Sequence, residues 1–405
     1  MKNITIKWLV CIAGGLLLLS SCSKMNAYKK FEQGGEIRYP ATFDSLKVLS
    51  GKNRVMITGL ISGDPNVVKY RIFWNSGTDS LDGNINRSSG VDTLKQIVSN
   101  LPEGPMSFEL RTYDAAGDIS VPMNITGNVY GAAFQSSLDL RGNRLVLQSM
   151  LDESGGAYIG WADEDGLVTV AGMEAVYTDY LNVAHDTVIP AQPVGQTSLL
   201  PQFDVSKTYQ YRTLYRPDST SIDTFAVAYQ AAPLLTEVRV PNNTSPASNS
   251  SNDGSRWAIL SDWITNSGAE NHNGYGGVDM GDNSIFFEGG YGAQPVSNGK
   301  IYQVAMLPPG TYTFDGSVNW WNNNGYNYVY VAVAQGNTGL PDWNNIGAGI
   351  SYGQLTNGYD VQTQFTLTQA TQVTQVSFGV VLNMSTSSND GESLRFNSLR
   401  LYINH

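Results

Sequence analysis

The residues in this sequence best suited to hold a ligand are tryptophan, tyrosine and asparagine. They crowd into two short stretches, Trp320-Trp321-Asn322-Asn323-Asn324-Gly325-Tyr326 and Asp342-Trp343-Asn344-Asn345. A flat aromatic ring stacks on the apolar C–H face of a pyranose, and amides beside it bond the sugar hydroxyls. Trp320, Trp321, Tyr326, Asn322, Asn323, Trp343 and Asn344 are therefore the candidate ligand-binding residues, and a glycan or polysaccharide is the ligand they suit. Adjacent tryptophans on a strand point to opposite faces, so at most one of Trp320 and Trp321 is exposed while the other packs inside. The alternative, that both are core and the asparagines only shape turns, stays open.

Acidic residues offer a second chemistry. Asp279-Met280-Gly281-Asp282-Asn283, with Glu288 close behind, puts hard oxygen ligands on a glycine-containing loop. Asp279, Asp282 and Glu288 are thus the candidate ligands of a structural calcium ion, the one cofactor the sequence suggests. Paired carboxylates also serve glycoside hydrolysis, but spacing alone does not set two of them across a sugar bond. Gly349-Ile350-Ser351-Tyr352-Gly353 matches a nucleophile elbow in letters, yet nothing after Gly353 has the helical pattern that motif needs. The histidines are His185, His272 and His405, too few and too scattered for a triad or a zinc site. The expectation is a binding protein without catalytic residues.

The start of the chain carries an address. Lys2 and Lys7 precede an apolar run from Trp8 to Leu19 and then Leu19-Ser20-Ser21-Cys22. That is the pattern of a lipoprotein leader, with Cys22 as the lipidated residue. The run is shorter than the roughly 20 residues a spanning helix needs. Only two cysteines occur, and Cys11 would leave with the leader, so a mature chain has no thiol for disulfides, zinc or nucleophilic attack. The expected partners include the membrane, through that anchor.

A net charge of -11 without clustered Lys and Arg gives no footprint for nucleic acid. The 42 glycines and 22 tyrosines, with only 15% charged residues, suit β-sheets joined by tight turns, and sustained helical periodicity is absent after the leader. Residues 1–21 read as the leader, 22–36 as a tether and 37–131 as a small sandwich. In the last, Val55, Ile57 and Ile61, then Val68, Tyr70, Ile72 and Trp74, then Met106, Phe108, Leu110 and Thr112 alternate with polar neighbours. Residues 132–240 repeat the rhythm with Met173, Ala175 and Tyr177 and with Tyr209, Tyr211, Thr213 and Tyr215. Residues 241–254 are small and polar, a linker or long ordered loop. Residues 255–405 hold predicted strands at 284–288, 300–306, 311–318, 328–334, 362–368, 375–382 and 393–403, a spacing that suggests a jelly roll.

The first of these segments resembles a fibronectin type III or immunoglobulin-like module, with Phe108 where a corner tyrosine often stands. Residues 36–131, with Tyr209-Gln210-Tyr211-Arg212-Thr213-Leu214-Tyr215 and Ile222-Asp223-Thr224-Phe225, resemble a Bacteroidetes lipoprotein family, domain of unknown function 4998. Phe286-Phe287-Glu288-Gly289-Gly290, Asn298-Gly299-Lys300-Ile301-Tyr302-Gln303, Leu307-Pro308-Pro309-Gly310-Thr311-Tyr312 and Phe396-Asn397-Ser398-Leu399-Arg400-Leu401-Tyr402-Ile403 resemble galactose-binding-like, carbohydrate-module-like domains, closest to domain of unknown function 5013. The expected fold is all-β: two fibronectin type III/immunoglobulin-like sandwiches, then a jelly-roll galactose-binding-like domain. The resemblance implies a cell-envelope setting, with the outer membrane the expected location. The side stays open, because Ser23-Lys24-Met25-Asn26 lacks the acidic run that accompanies surface export in that phylum. The expected function is non-catalytic glycan binding as an accessory to polysaccharide capture. An adhesive or scaffolding protein that binds other envelope proteins is the rival, and a glycoside hydrolase a distant third.

Overall fold

Alternating apolar residues must find a second sheet to bury against, and the chain solves this three times. The structure, a computed structural model, describes residues 38–270, 276–290, 294–322, 327–356, 359–369, 372–384 and 391–405. The chain divides into two units at Gly131/Ala132.

In the first unit the strands are β1 (Asp44–Ser50), β2 (Arg54–Ile61), β3 (Val67–Trp74), β4 (Asp79–Asn84), β5 (Asp92–Ser99), β6 (Gly104–Asp114) and β7 (Met123–Val129). They form two antiparallel sheets, ordered β1-β2-β5 and β4-β3-β6-β7, the arrangement of a fibronectin type III sandwich. Val55, Ile57, Ile61, Tyr70, Ile72, Phe108 and Leu110 fill the space between them. One expected inward residue is displaced. A register shift between Val67 and Lys69 turns Val67 into the core and leaves Val68 41% exposed.

The second unit opens on a helix, α1 (Ala132–Arg141), where the sequence showed no sustained helical period. It is short, and only Leu138 is buried, so the periodic signal is weak. Gly142 ends it with φ +79°, its N–H bonded to the Leu138 carbonyl at 2.8 Å. Nine strands follow: β8 (Val146–Leu151), β9 (Ala157–Trp161), β10 (Thr169–Thr178), β11 (Ala184–Pro190), β12 (Thr197–Leu200), β13 (Gln210–Arg216), β14 (Phe225–Ala226), β15 (Gln230–Ala231) and β16 (Glu237–Val238). One sheet runs β11-β10-β13-β14, with β15 also on β13, and faces β12-β9-β8. Tyr209, Tyr211, Thr213 and Tyr215 all point inward.

The remaining strands are β17 (Asn249–Asn252), β18 (Trp257–Leu260), β19 (Ile264–Thr265), β20 (Gly276–Asp279), β21 (Ser284–Gly289), β22 (Val296–Leu307), β23 (Gly310–Asn322), β24 (Asn327–Gln335), β25 (Ser351–Gln354), β26 (Asp360–Leu367), β27 (Thr374–Met384) and β28 (Glu392–Asn404). They build a second two-sheet sandwich. A five-stranded sheet, β19-β22-β27-β24-β25, packs on a larger one in which β23 lies between β26 and β28, and β28 continues to β21, β20, β18 and β17. Phe314 meets Phe378 edge-on at 5.3 Å across the gap, and Phe287, Phe396, Val331 and Val380 are fully enclosed around them. Each such side chain contributes about 1.5–3 kcal/mol by leaving water.

The expected boundaries inside this unit are corrected. Val238 on β16 pairs with Leu151 on β8 and with Leu401 on β28, so one eleven-stranded sheet joins residues 132–240 to residues 255–405. Residues 241–254 are no free linker either. Ser245 N–H donates to the Asn397 carbonyl, Ala247 N–H donates to the Asn283 carbonyl, and Asn249–Asn252 adds the edge strand β17. Hydrogen bonds to a neighbouring strand need no apolar side chain, which is why a polar run reads as a linker and folds as part of a sheet.

Candidate functional site

Alternation on the five-stranded sheet sets one row of side chains into the core and the next outward. The outward row is aromatic. Lys300, Val381 and Tyr330 are register neighbours, as are Tyr302, Gly379, Ala332 and Tyr352, while Tyr328 sits opposite Asn383. A short 3-10 segment, Trp343–Ala348, kinked at Asn345, covers part of this row. Leu340 and Ile346 pack on Tyr330, Ala332 and Ala334 beneath it.

A polar clip fixes that covering segment. Lys300 donates from Nζ to Asp342 at 2.7 Å and to the Leu340 carbonyl at 2.8 Å. Asn298 donates to the same Asp342 oxygen at 2.6 Å and accepts the Trp343 N–H at 3.1 Å. The Lys300 hydrogen bond, helped by Asn298, holds the Asp342 carboxyl below its ordinary pKa. Trp343 is thereby laid on Tyr328, with ring centroids 4.9 Å apart and planes at 29°. Tyr328 lies 6.4 Å from Tyr330, nearly parallel, and Tyr352 meets Tyr330 edge-on at 5.9 Å. Tyr328 is 40% and Tyr352 48% exposed. Tyr352 has no stacked neighbour among the described residues, which makes it the ring best placed to receive a sugar face. Exposed amides and hydroxyls rim this face, among them Asn344.

Of the other predicted ligand residues, three lie on described strand positions. Trp320, Trp321 and Asn322 belong to β23 in the larger sheet, whereas Trp343 lies on the segment that covers the five-stranded sheet. Trp321 stands opposite the buried Leu394 and its indole nitrogen is enclosed, which assigns it to the inner face. Trp320 holds the register position opposite Arg395. Its side chain, with Asn323 and Tyr326, lies outside the described residues. Asn322 donates to the Gly391 carbonyl at 2.8 Å.

The acidic stretch is reassigned as well. Asp279, Asp282 and Glu288 do converge, but around two guanidiniums. Arg256 donates to Asp279 from Nε and Nη2 at 3.1 and 2.6 Å and lies 3.4 Å from Glu288. Arg395 reaches Asp282 at 2.7 Å and Asp279 at 3.6 Å. Burial, the largest single influence, raises the Asp279 carboxyl, but the Arg256 hydrogen bonds, the Gly281 N–H and the charges of Arg256 and Arg395 together leave it below its ordinary value. Arginine supplies positive charge to these carboxylates, and among the described residues no group of three or more His, Cys, Asp or Glu is placed so that it could hold a metal ion. Excess chelator should therefore leave the thermal midpoint of the protein unchanged. A fall of several degrees in differential scanning calorimetry, reversed by calcium, would return the ion to this loop.

These arginines sandwich Phe286, with the Arg395 guanidinium 4.4 Å and that of Arg256 5.8 Å from its ring, beside a cleft of about 540 Å³. Ser351 sits within β25, hydrogen-bonded to Thr363 and to the Gln364 carbonyl, and not on a strand-to-helix turn. His185 bonds Asp179 at 2.9 Å in the other sandwich, His405 bonds the Leu235 carbonyl, and His272 lies outside the described residues. Sequence reasoning found Trp343 and missed Tyr302, Tyr328, Tyr330 and Tyr352. Tyr328 and Tyr330 alternate with core valines on β24, a pattern that marks one shared face once the partner row is known to be buried.

The model of domain of unknown function 5013 matches residues 241–377, starting where the chain enters the last sandwich. No curated protein matches. Similar solved structures include a two-domain fibronectin type III segment of chicken tenascin, 12% identical, covering 47% of this chain and 98% of that one with a TM-score of 0.19. Fibronectin(III)-like modules of Clostridium thermocellum CbhA are 8% identical over 47% of this chain and 90% of theirs, TM-score 0.26. A bacterial ice-binding adhesin is 11% identical over 82% of this chain and 98% of its own, TM-score 0.24. The model of domain of unknown function 4998 matches residues 22–225, half of the chain, and the protein belongs to that family.

Proposed function

We propose that this protein is a cell-envelope lipoprotein, anchored through Cys22, that binds a glycan non-catalytically on the aromatic face of its last sandwich. The observation that carries the reading is the cluster of Trp343, Tyr328, Tyr330 and Tyr352 on the outward side of a sheet, with two rings two-fifths or more exposed. Core packing does not call for exposed rings in a row, whereas a sugar chain does. The lysine, carboxylate and amides of the clip rim the rings with groups that bond hydroxyls. A glycan array probed with the mature chain tests the reading: binding to at least one polysaccharide class is expected, and a blank array across plant, host and bacterial glycans would count against it.

Anchoring rests on the leader pattern that ends at Cys22. No helix among the described residues is long and apolar enough to cross a membrane. Lipid chains stabilise attachment by about 0.8 kcal/mol per buried methylene, so two or more hold a protein where one does not. Cys22→Ser should move the protein from the membrane to the soluble envelope fraction on cell fractionation. Retention of the variant in the membrane pellet would contradict this.

A protein-binding reading is favoured by a different observation. Leu147 on β8 and Leu199 on β12, either side of β9, are 67% and 47% exposed on the second sandwich. It becomes the better reading if the array is blank and an envelope protein is captured in a manner that Leu147→Ser abolishes.

A further inference from the structure

The larger sheet of the last sandwich has its own opening, on the side facing away from the core. Cross-strand register places Arg400, Asp315 and Gln362 in one row and Ser398, Ser317 and Asp360 in the next. With Tyr402 these residues line a cleft of about 740 Å³. Its chemistry differs from that of the aromatic face. Only one ring borders it, so recognition there falls to hydrogen bonds and charge.

The charges do not balance within the cleft. Asp315 and Asp360 are diagonal neighbours on paired strands, close enough to repel. Burial, and then the neighbouring Asp360, push the Asp315 carboxyl above its ordinary pKa. Arg400 offsets part of this, but its guanidinium also lies 3.7 Å from Glu237, another carboxyl raised by burial. Asp315 and Glu237 thus share one guanidinium. The Asp315 carboxyl, half-buried, accepts no hydrogen bond among the described residues and lines the cleft.

We propose that this cleft is a second ligand site, one that takes a hydroxyl-rich chain bearing a primary ammonium group, as a de-acetylated amino sugar does. The ammonium sits between Asp315 and Asp360, and the hydroxyls bond Gln362, Ser317 and Tyr402. An ammonium group offers three donors and a positive charge, which satisfies the open acceptors and removes the repulsion in one step. A neutral sugar leaves that repulsion in place. A bare calcium ion wants six to eight oxygens, and two carboxylates beside a guanidinium do not supply them.

Isothermal titration calorimetry of the mature chain with a β-1,4-linked glucosamine tetramer, against the same tetramer fully N-acetylated, tests this. The amine form should bind at least about tenfold more tightly, because acetylation removes the charge. Asp315→Asn and, separately, the exposed Asp360→Asn should each weaken it about tenfold, a loss of about 1.4 kcal/mol. Neither should lower the thermal midpoint, since each removes a repulsion. Equal affinity for the two tetramers, no binding of the amine form, or unchanged binding in both carboxylate variants would overturn the proposal.

Discussion

A fragment that begins at Ser255 should fail to fold, while one from Ala132 to His405 should unfold cooperatively. Cutting at 255 removes Leu235, Val238 and Val240, all buried, and with them the strand that joins Leu151 to Leu401. Each lost aliphatic side chain removes about 1.5–3 kcal/mol of burial. It also strips partners from groups that stay behind. The Trp263 indole donates to the Asn242 carbonyl at 3.0 Å, Gln303 donates to the Pro241 carbonyl at 2.8 Å, and Asn242 bonds the Ser261 carbonyl at 2.8 Å. An orphaned buried polar group costs about 1–3 kcal/mol. The sum reaches the whole stability of an ordinary domain, about 5–15 kcal/mol. Far-UV circular dichroism with urea titration reads the outcome. If the Ser255 fragment melts like the longer one, the fused sheet contributes nothing and the sandwiches are independent.

Arg144→Met should destabilise the second unit by about 3–5 kcal/mol, the range for breaking a buried charged network. Arg144 is only 6% exposed and ties three parts of the second sandwich together. Its Nε donates to the Ala162 carbonyl at 2.6 Å, Nη1 to Gln196 at 2.6 Å and Nη2 to the Gln192 carbonyl at 3.0 Å. Gln196, itself 2% exposed, then holds Gln192 N–H and the Pro190 carbonyl. Methionine fills much of the volume but leaves these acceptors without donors. Arg144→Lys, with one donor head in place of a planar fork, should fall between the two. The check is the urea midpoint of each variant. A loss under about 1 kcal/mol for Arg144→Met would mean that water replaces the guanidinium freely.

Much of this fold is legible in the alternation of side chains. The seven strands expected in the last sandwich all occur, six of them extended and the one expected at 362–368 shifted to 360–367. Period-two patterns such as Met173, Ala175 and Tyr177 place the core correctly. Signals fail where the physical cause of a strand is not apolar. β17 reads Asn-Ser-Ser-Asn and β20 Gly-Gly-Val-Asp, so neither carries a hydrophobic period, and both are held by backbone pairing. The bulge at Val67 is likewise a backbone event that moves one valine out and its neighbour in.

The candidate site was legible only in part, for a related reason. Trp343 announces itself beside asparagines, but its partners come from strands 15 residues before and 9 after it, and no local window links Tyr328 to Tyr352. Asp279, Asp282 and Glu288 look like a cation cage because Arg256 and Arg395, which pair with them, arrive from distant strands. Asp315 and Asp360 carry no local mark at all, being ordinary polar members of alternating strands. Charge partners set by sheet register are invisible until the register is known.

Tyr352→Ala tests the central claim most directly, because this ring is 48% exposed, lies at the edge of the aromatic row and holds up little of the core. On the mature chain, with whichever glycan the array identifies, binding and thermal midpoint are measured together. Affinity should fall by about 1–3 kcal/mol, the scale of a lost stacking contact, while the midpoint stays within about 2 °C of the parent. Unchanged affinity in Tyr352→Ala and in Tyr328→Ala, with the glycan still bound, would contradict the assignment of sugar binding to this face.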